Sequence, residues 1–363
     1  MKRGSGHRFL WAALLTAVPL PVIGWLLGQN WFTVALVVGV LPLADAVMGK
    51  DFGNPAEEPH PASDHSNLLR WNLYAYVPVQ LAMIAWGAAV FAGGSLSDGQ
   101  ALGLLLSVGL VTGGQGITIA HELGHGRSAM ERRLAQLLLV SVSYGHFHIE
   151  HNRGHHARVA TRDDPATARL GEPLYCFLPR AIVGSLASAW QLEAARLRRR
   201  GEAVISHHNE MLWFAAATLL LAAGLGACWG AGALVFFAGQ SLVAILLLEA
   251  VNYVEHYGLV RGRERNGVLE RVGARHSWNA SQRLSNALLI NLQRHADHHA
   301  NPSRPYHLLC HREDSPQLPM GYPGMLLLAL VPPLWFRVMD PRVQQLQPGA
   351  PLAPPPGAGP VLR

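Results

Sequence analysis

The feature that most constrains this chain is a series of apolar runs, each long enough to cross a bilayer. A helix needs about 20 apolar residues to span roughly 30 Å of hydrocarbon. Six stretches qualify: Phe9 to Leu27, Trp31 to Met48, Leu73 to Gly93, Ala101 to Ala120, Met211 to Trp229 and Ala231 to Val251. They fall into close pairs joined by Gly28 to Asn30, Gly94 to Gln100 and the single residue Gly230. The expected fold is therefore an all-α membrane protein with six transmembrane helices in three hairpins. Composition agrees, since half of the 363 residues are hydrophobic and only 14% are charged. That balance excludes an ordinary soluble enzyme, and the dominance of Leu-rich runs excludes disorder.

Charge gives the orientation. Of the 29 Lys and Arg residues none lies in the three short links: five precede residue 71, twelve lie between Arg127 and Arg200, and twelve follow from Arg261. By the positive-inside rule the basic segments and both termini are cytoplasmic, as in a multi-pass protein of a bacterial inner membrane. Lys2, Arg3 and Arg8 before the first run resemble a signal peptide, but no small-residue cleavage site follows cleanly, and cleavage would leave Trp31 to Met48 without a hairpin partner.

The chain divides into helices one to four (1–120), a histidine-rich cytoplasmic segment with in-plane helices (121–210), helices five and six (211–252), a second histidine-rich segment (253–343) and a flexible Pro/Gly/Ala tail (344–363). Leu134 to Tyr144 is too short to span and reads as a buried or re-entrant helix. Ile182 to Arg200 reads as an amphipathic helix on the inner leaflet. Asp45, near the inner end of the second run, reads as an interfacial carboxylate or as a link to the cytoplasmic domain. Nothing in the pattern points to nucleic acid.

Histidine is the unusual count, 19 against 23 acids. Nine of these fall in four sets: His121 and His125; His151, His155 and His156; His256; His295, His298 and His299. Steps of three and four residues on a helix aim imidazoles at one place. Nine ligands exceed the shell of one ion, so two transition metals are implied, whose identity the spacing leaves open among zinc, copper, nickel and iron. Glu122, Glu150, Glu255 and Asp297 sit beside these histidines and suit the role of accepting their ring N–H groups. Of the remainder, His146, His148 and His276 read as packing residues near the clusters, and His7, His60, His65, His207, His208, His307 and His311 as solvent-facing. Cys176, Cys228 and Cys310 lie too far apart for a disulfide scaffold, zinc ribbon or iron–sulfur centre, so redox electrons would have to come from outside.

Two other classes fit less well. His121-Glu122-Leu123-Gly124-His125 has the H-E-x-x-H form of zinc proteases, but an intramembrane protease would leave seven of the nine histidines unused. A metal transporter would carry its ligands at mid-membrane rather than past the ends of its helices.

Four segments carry a closer resemblance: His-Glu-Leu-Gly-His (121–125), Glu-His-Asn-Arg-Gly-His-His (150–156), Asn-Tyr-Val-Glu-His-Tyr-Gly (252–258) and Leu-Gln-Arg-His-Ala-Asp-His-His-Ala-Asn-Pro (292–302). With Arg158 to Pro165, Phe177 to Gly184 and Leu318 to Arg342, the chain over roughly 40–343 resembles the integral-membrane di-iron alkane 1-monooxygenases of the histidine-rich desaturase and hydroxylase superfamily. The resemblance implies six transmembrane helices capped by a cytoplasmic helical di-iron domain, with the nine histidines as ligands of two iron ions. It implies dioxygen-dependent hydroxylation of a medium-chain n-alkane to a primary alcohol. The alkane would enter from the bilayer, and electrons would come from rubredoxin and its NADH-dependent reductase. Some relatives carry rubredoxin fused to the chain; the four cysteines it needs are absent here, so a separate rubredoxin is implied. Gly126, where relatives often have a basic residue, departs from the pattern and suggests an altered surface. The nearest alternative is a xylene-type monooxygenase that hydroxylates an aromatic methyl group.

Overall fold

The computed structural model describes residues 19–55, 64–264 and 267–347. It is mostly helical, with no β-strand among the described residues. In chain order the helices are α1 (Pro19–Leu26), α2 (Phe32–Met48), α3 (Asp64–Ala92), α4 (Asp98–Gly124), α5 (Ala129–Val140), α6 (147–158), α7 (Leu174–Arg199), α8 (Glu210–Trp229), α9 (Ala231–His256), α10 (Arg283–Leu288), α11 (His295–Ala300), α12 (Tyr322–Ala329) and α13 (Pro332–Leu346).

Four of these helices are long and apolar enough to cross a membrane: Leu68–Ala92 within α3, then α4, α8 and α9. The pair α12 and α13 passes the same test together but is bent by 120° at its break, and α2 is a shorter apolar helix. The first expected run is described only from Pro19, and its earlier part lies outside the described residues, as do His7, His60 and the tail beyond residue 347. α13 carries Gln344 and Gln345 in its last turn, so helix persists past the expected start of the tail.

Local chemistry sets the helix ends. Ser97 caps α4 and Ser128 caps α5, each reciprocally with the residue three further on, Gln100 and Glu131. Asn209 caps α8 by accepting the Met211 N–H at 2.9 Å. Gly230 joins α8 to α9 alone, at a φ of 77° that favours glycine. The expected short helix between the histidine clusters is α5, whose Ala135, Leu138 and Leu139 are buried. The expected amphipathic helix is α7, with Val183, Leu186 and Trp190 exposed along its length.

The bundle core is formed by Leu69, Tyr76 and Ile84 of α3, Leu104 and Val108 of α4 and Phe236 of α9. Buried polar side chains cross-link it: Gln80 donates to Ser141 Oγ at 2.7 Å, and Thr112 donates to Gln240 Oε1 at 3.0 Å. In an apolar bundle such bonds fix depth as well as rotation, because an unpaired group there has no water to turn to. A second core under α9 gathers Phe177, Tyr253, Tyr257, Trp335 and Met339.

Asp45 is 3% exposed and ties α2 to the second histidine-rich segment. It accepts the Ser285 N–H at 2.9 Å, and the Ser285 hydroxyl donates to its other oxygen. The Ser285 hydroxyl accepts from Gln293 at 2.7 Å, Gln293 Oε1 accepts the Tyr322 N–H at 2.7 Å, and the Tyr322 hydroxyl donates to Glu255 at 2.7 Å. The interfacial reading of Asp45 is thus overturned: its carboxylate anchors the far end of a hydrogen-bond chain that runs to Glu255.

Candidate metal centre

Four helices, α4, α6, α9 and α11, deliver the nine histidines. The last turn of α4 carries His121, and His125 follows at its C-cap; His256 is the final residue of α9. Within α6, residues Glu150–His155 form a π-helical stretch. There the i→i+5 bonding widens the turn, so His151 and His156, five apart, share a face while His155 faces another way. Gly154 makes this possible, because a Cβ there would lie 2.6 Å from the Glu150 carboxylate and 2.5 Å from the Arg158 guanidinium. On α11, His295 and His299 are four apart and share a face, whereas His298 points elsewhere.

The result is two clusters. His121, His125, His151, His156 and His298 form one, and His155, His256, His295 and His299 the other, each with its ligand atoms within 4.8 Å of one another. In the first, Nε2 atoms approach at 3.0 Å between His125 and His151, 3.0 Å between His151 and His156, and 3.2 Å between His156 and His298. In the second they approach at 3.2 Å between His155 and His299, 2.9 Å between His299 and His295, and 3.2 Å between His295 and His256. Two nitrogens at right angles about one ion, each ~2.1 Å from it, lie about 3.0 Å apart. The spacing therefore suits donors converging on an ion, and the buried His121 Nε2, which has no hydrogen-bond partner among the described residues, suits it too. The clusters adjoin, with the His156 and His299 rings 4.6 Å apart.

Electrostatics keeps these rings in their ligand form. Burial, and then the neighbouring imidazoles, hold His125, His151, His156, His295, His298 and His299 well below the ordinary imidazole range. A neutral ring has a lone pair to give.

The four acids singled out by sequence are placed differently from expectation. Glu255 lies with Oε2 3.3 Å from His295 Nε2, on the side of the ring that faces the cluster. The other three brace the surrounding chain instead of ligand rings. Glu122 accepts the Tyr306 N–H at 3.1 Å, Glu150 pairs with Arg158 at 2.6 Å, and Asp297 accepts from Arg304 at 2.7 Å and the Cys310 N–H at 3.0 Å. The acid that does meet an outer ring nitrogen is Asp164, 2.9 Å from His155 Nδ1. Burial alone would raise its carboxyl, but the His155 ring and the Thr167 hydroxyl, which donates at 2.6 Å, hold it below the usual range. Its signal in the sequence was an acid pair, Asp163-Asp164, followed by Pro165 between two histidine sets.

The fatty acid desaturase family model matches residues 99–328, most of the chain. Alkane 1-monooxygenase 2 of Pseudomonas aeruginosa is 43% identical over 345 residues, covering 93% of this chain and 91% of that protein. The chain belongs to the alkane 1-monooxygenases of the fatty acid desaturase family. Alkane 1-monooxygenase of Pseudomonas putida is 42% identical, over 93% of this chain and 85% of its own. The xylene/toluene monooxygenase hydroxylase component of Pseudomonas putida is more distant, at 29% identity over 92% of this chain and 87% of its own.

Two of the hollows that border the centre of this family member bear on its chemistry. An apolar cavity of about 310 Å³ is lined by Leu20, Leu36, Val37 and Val40, by Leu110 and Val111, and by Leu247 and Val251, and ends at His121, His151, His295 and Glu255. Its walls come from the first, second, fourth and sixth expected spans, with Leu284, Leu288 and Leu292 and with Tyr322 and Leu326 closing it. A second cleft of about 230 Å³, with charged side chains in its wall, is lined by Arg70, Arg127, Arg304, Glu122, Gly126 and His125. Gly126 thus does sit on a surface beside the site.

The remaining histidines separate clearly. His146 and His148 join neither cluster; burial lowers His146 to about 4, and its ring packs 4.3 Å from that of Tyr144. His276 pairs with Glu270 at 2.9 Å. His207 and His208 are exposed, but the solvent-facing reading fails for His307, which is buried, and for His311, which packs 4.8 Å from the Phe52 ring and 2.9 Å from the Ser281 hydroxyl.

Proposed function

We propose that this enzyme hydroxylates the terminal carbon of medium-chain n-alkanes, using dioxygen and external electrons and yielding a primary alcohol and water. The observation that carries the reading is the apolar cavity that ends on the histidine clusters. An alkane has no polar handle, so a channel of Leu, Val and Ala side chains can select only by length and shape, at about 1–3 kcal/mol per methylene. Its volume lies in the range of small-molecule sites.

Two iron ions fit the donor sets, one held by His121, His125, His151, His156 and His298, the other by His155, His256, His295 and His299, with Glu255 beside the latter. When bound, iron supplies the dioxygen chemistry that no side chain can perform. The chain does the rest. Asp164 fixes which His155 nitrogen carries the proton, and α2 with α10 aims the chain end at the cluster. The burial of His155, His256, His295 and His299 keeps water out of the closed pocket.

Six spans in three hairpins place both termini and the centre at the cytoplasmic face of a bacterial inner membrane. The four long apolar helices, α2 and the run through α1 support that count, and the absence of basic residues from the short links supports the orientation. A separate rubredoxin, reduced by its NADH-dependent reductase, would then dock on the basic cytoplasmic segments, consistent with cations around the second cleft. The aromatic alternative has the weaker support, because the xylene-type relative is the more distant one. Feeding the enzyme, with rubredoxin and reductase, octane and xylene in parallel tests the reading: octane is turned over preferentially, and faster turnover of xylene would reverse it.

A further inference from the structure

The metal end of the cavity carries a collar of uncharged polar side chains, and hydrogen bonds within the protein engage nearly all of their donors. Thr118 donates to the Gly114 carbonyl at 2.6 Å, Tyr322 to Glu255 at 2.7 Å, and Gln115 to the Leu288 carbonyl at 3.4 Å. Asn252 is different. Its Nδ2 donates to Glu249 Oε2 at 3.2 Å, and the other oxygen of Glu249 accepts the Tyr144 hydroxyl at 2.6 Å. Glu249 is fully buried in α9. A carboxylate only accepts hydrogen bonds, so it fixes which end of the neighbouring amide turns toward it. The Asn252 amide oxygen is left on the other side and receives no donor among the described residues.

Asn252 also stands in the right place. It lines the cavity and precedes Glu255 by three residues and His256 by four, so all three share one face of α9. Asn252 lines the cavity, and its amide oxygen, without a donor from the protein among the described residues, keeps an open acceptor position that an alkane cannot fill. A primary alcohol can, through its O–H.

We infer that Asn252, held by Glu249 and Tyr144, is the binding group for the hydroxyl of a primary alcohol at the metal end of the cavity. The bond becomes available only once the terminal carbon carries oxygen. It separates product from substrate by a group that contributes nothing to alkane binding, and it lets a long-chain alcohol compete with alkane for the cavity. The inference rests on the alkane reading given above.

The test measures inhibition of octane turnover by 1-octanol and by methyl octyl ether, which has oxygen but no donor. Asn252→Leu raises the inhibition constant of 1-octanol about five- to tenfold, leaves that of the ether unchanged, and moves the KM for octane less than twofold. Glu249→Gln, which loosens the amide's orientation, gives a smaller rise of about two- to threefold. Asn252→Ala replaces the leucine variant if that one fails to accumulate with its metal. An unchanged constant for 1-octanol in variants that retain metal would overturn the inference, as would an equal rise for alcohol and ether, which would mean altered packing. If the wild-type enzyme does not turn over octane, the functional reading fails instead. The alcohol and ether are then compared by thermal-shift binding to wild type and Asn252→Leu, where an equal loss of both, or of neither, counts against Asn252.

Discussion

The two histidine pockets share α6 and α11, while α4 contributes only to the five-membered pocket and α9 only to the four-membered one, and they differ in closure and in support. His155, His256, His295 and His299 are all buried, with Asp164 on one ring and Glu255 beside another. In the five-membered pocket His121, His125 and His156 are only half-buried, and His125 borders the second cleft. The closed pocket thus combines few imidazoles with carboxylate support, whereas the open one relies on a larger number of imidazoles and lies nearer water. A pocket with a spare ligand tolerates loss better than one without.

The largest expected effect tests that asymmetry. Both His295→Ala and His125→Ala abolish turnover, but His295→Ala leaves three imidazoles and loses about one ion per chain, whereas His125→Ala leaves four and retains both. Metal analysis of the purified variants checks this; equal ion loss would erase the distinction. Next, Asp164→Asn lowers activity or metal affinity about 10- to 100-fold, while Glu122→Gln, which alters a contact to the Tyr306 backbone, changes either by less than about threefold. Steady-state rates with iron titration separate the two, and similar losses would mean that Glu122 acts on a ligand ring.

Smaller effects concern the scaffold. Asp45→Ala strands the Ser285 donors and costs about 1–3 kcal/mol of stability, read as a lower melting temperature of the purified protein, with metal content kept near wild type. Smallest is His146→Phe. Because burial already holds that imidazole down to about 4, it is neutral throughout the range in which the enzyme works. The substitution leaves iron content and the pH–rate profile between pH 6 and 9 within about twofold of wild type. A lost ion would make His146 a ligand.

Much of this molecule was legible in its sequence because two of its signals are periodic. Apolar runs marked the long helices, though the apolar part of α3 begins at Leu68 rather than Leu73 and α2 is shorter than the other long apolar helices. Steps of three and four residues, together with His256 at the end of the last long apolar run, marked the nine histidines that the structure brings together. Their division was not legible: a local widening of α6 sends His155 to one pocket and His151 with His156 to the other, and helical spacing assumes a regular turn. Nor were the acids, since sequence adjacency to a ligand says little about contact. Glu150, Glu122 and Asp297 turn to Arg158, Tyr306 and Arg304, while Asp164 reaches His155 across nine residues. The buried His307 and the anchoring role of Asp45 depend on packing between segments some 240 residues apart in the latter case, which no local pattern encodes.

The most direct test of the account is the count and identity of metal in purified protein that is actively hydroxylating octane. Two irons per chain is the predicted result, one for each pocket. A single ion per chain, or zinc as the sole metal in active preparations, would contradict it.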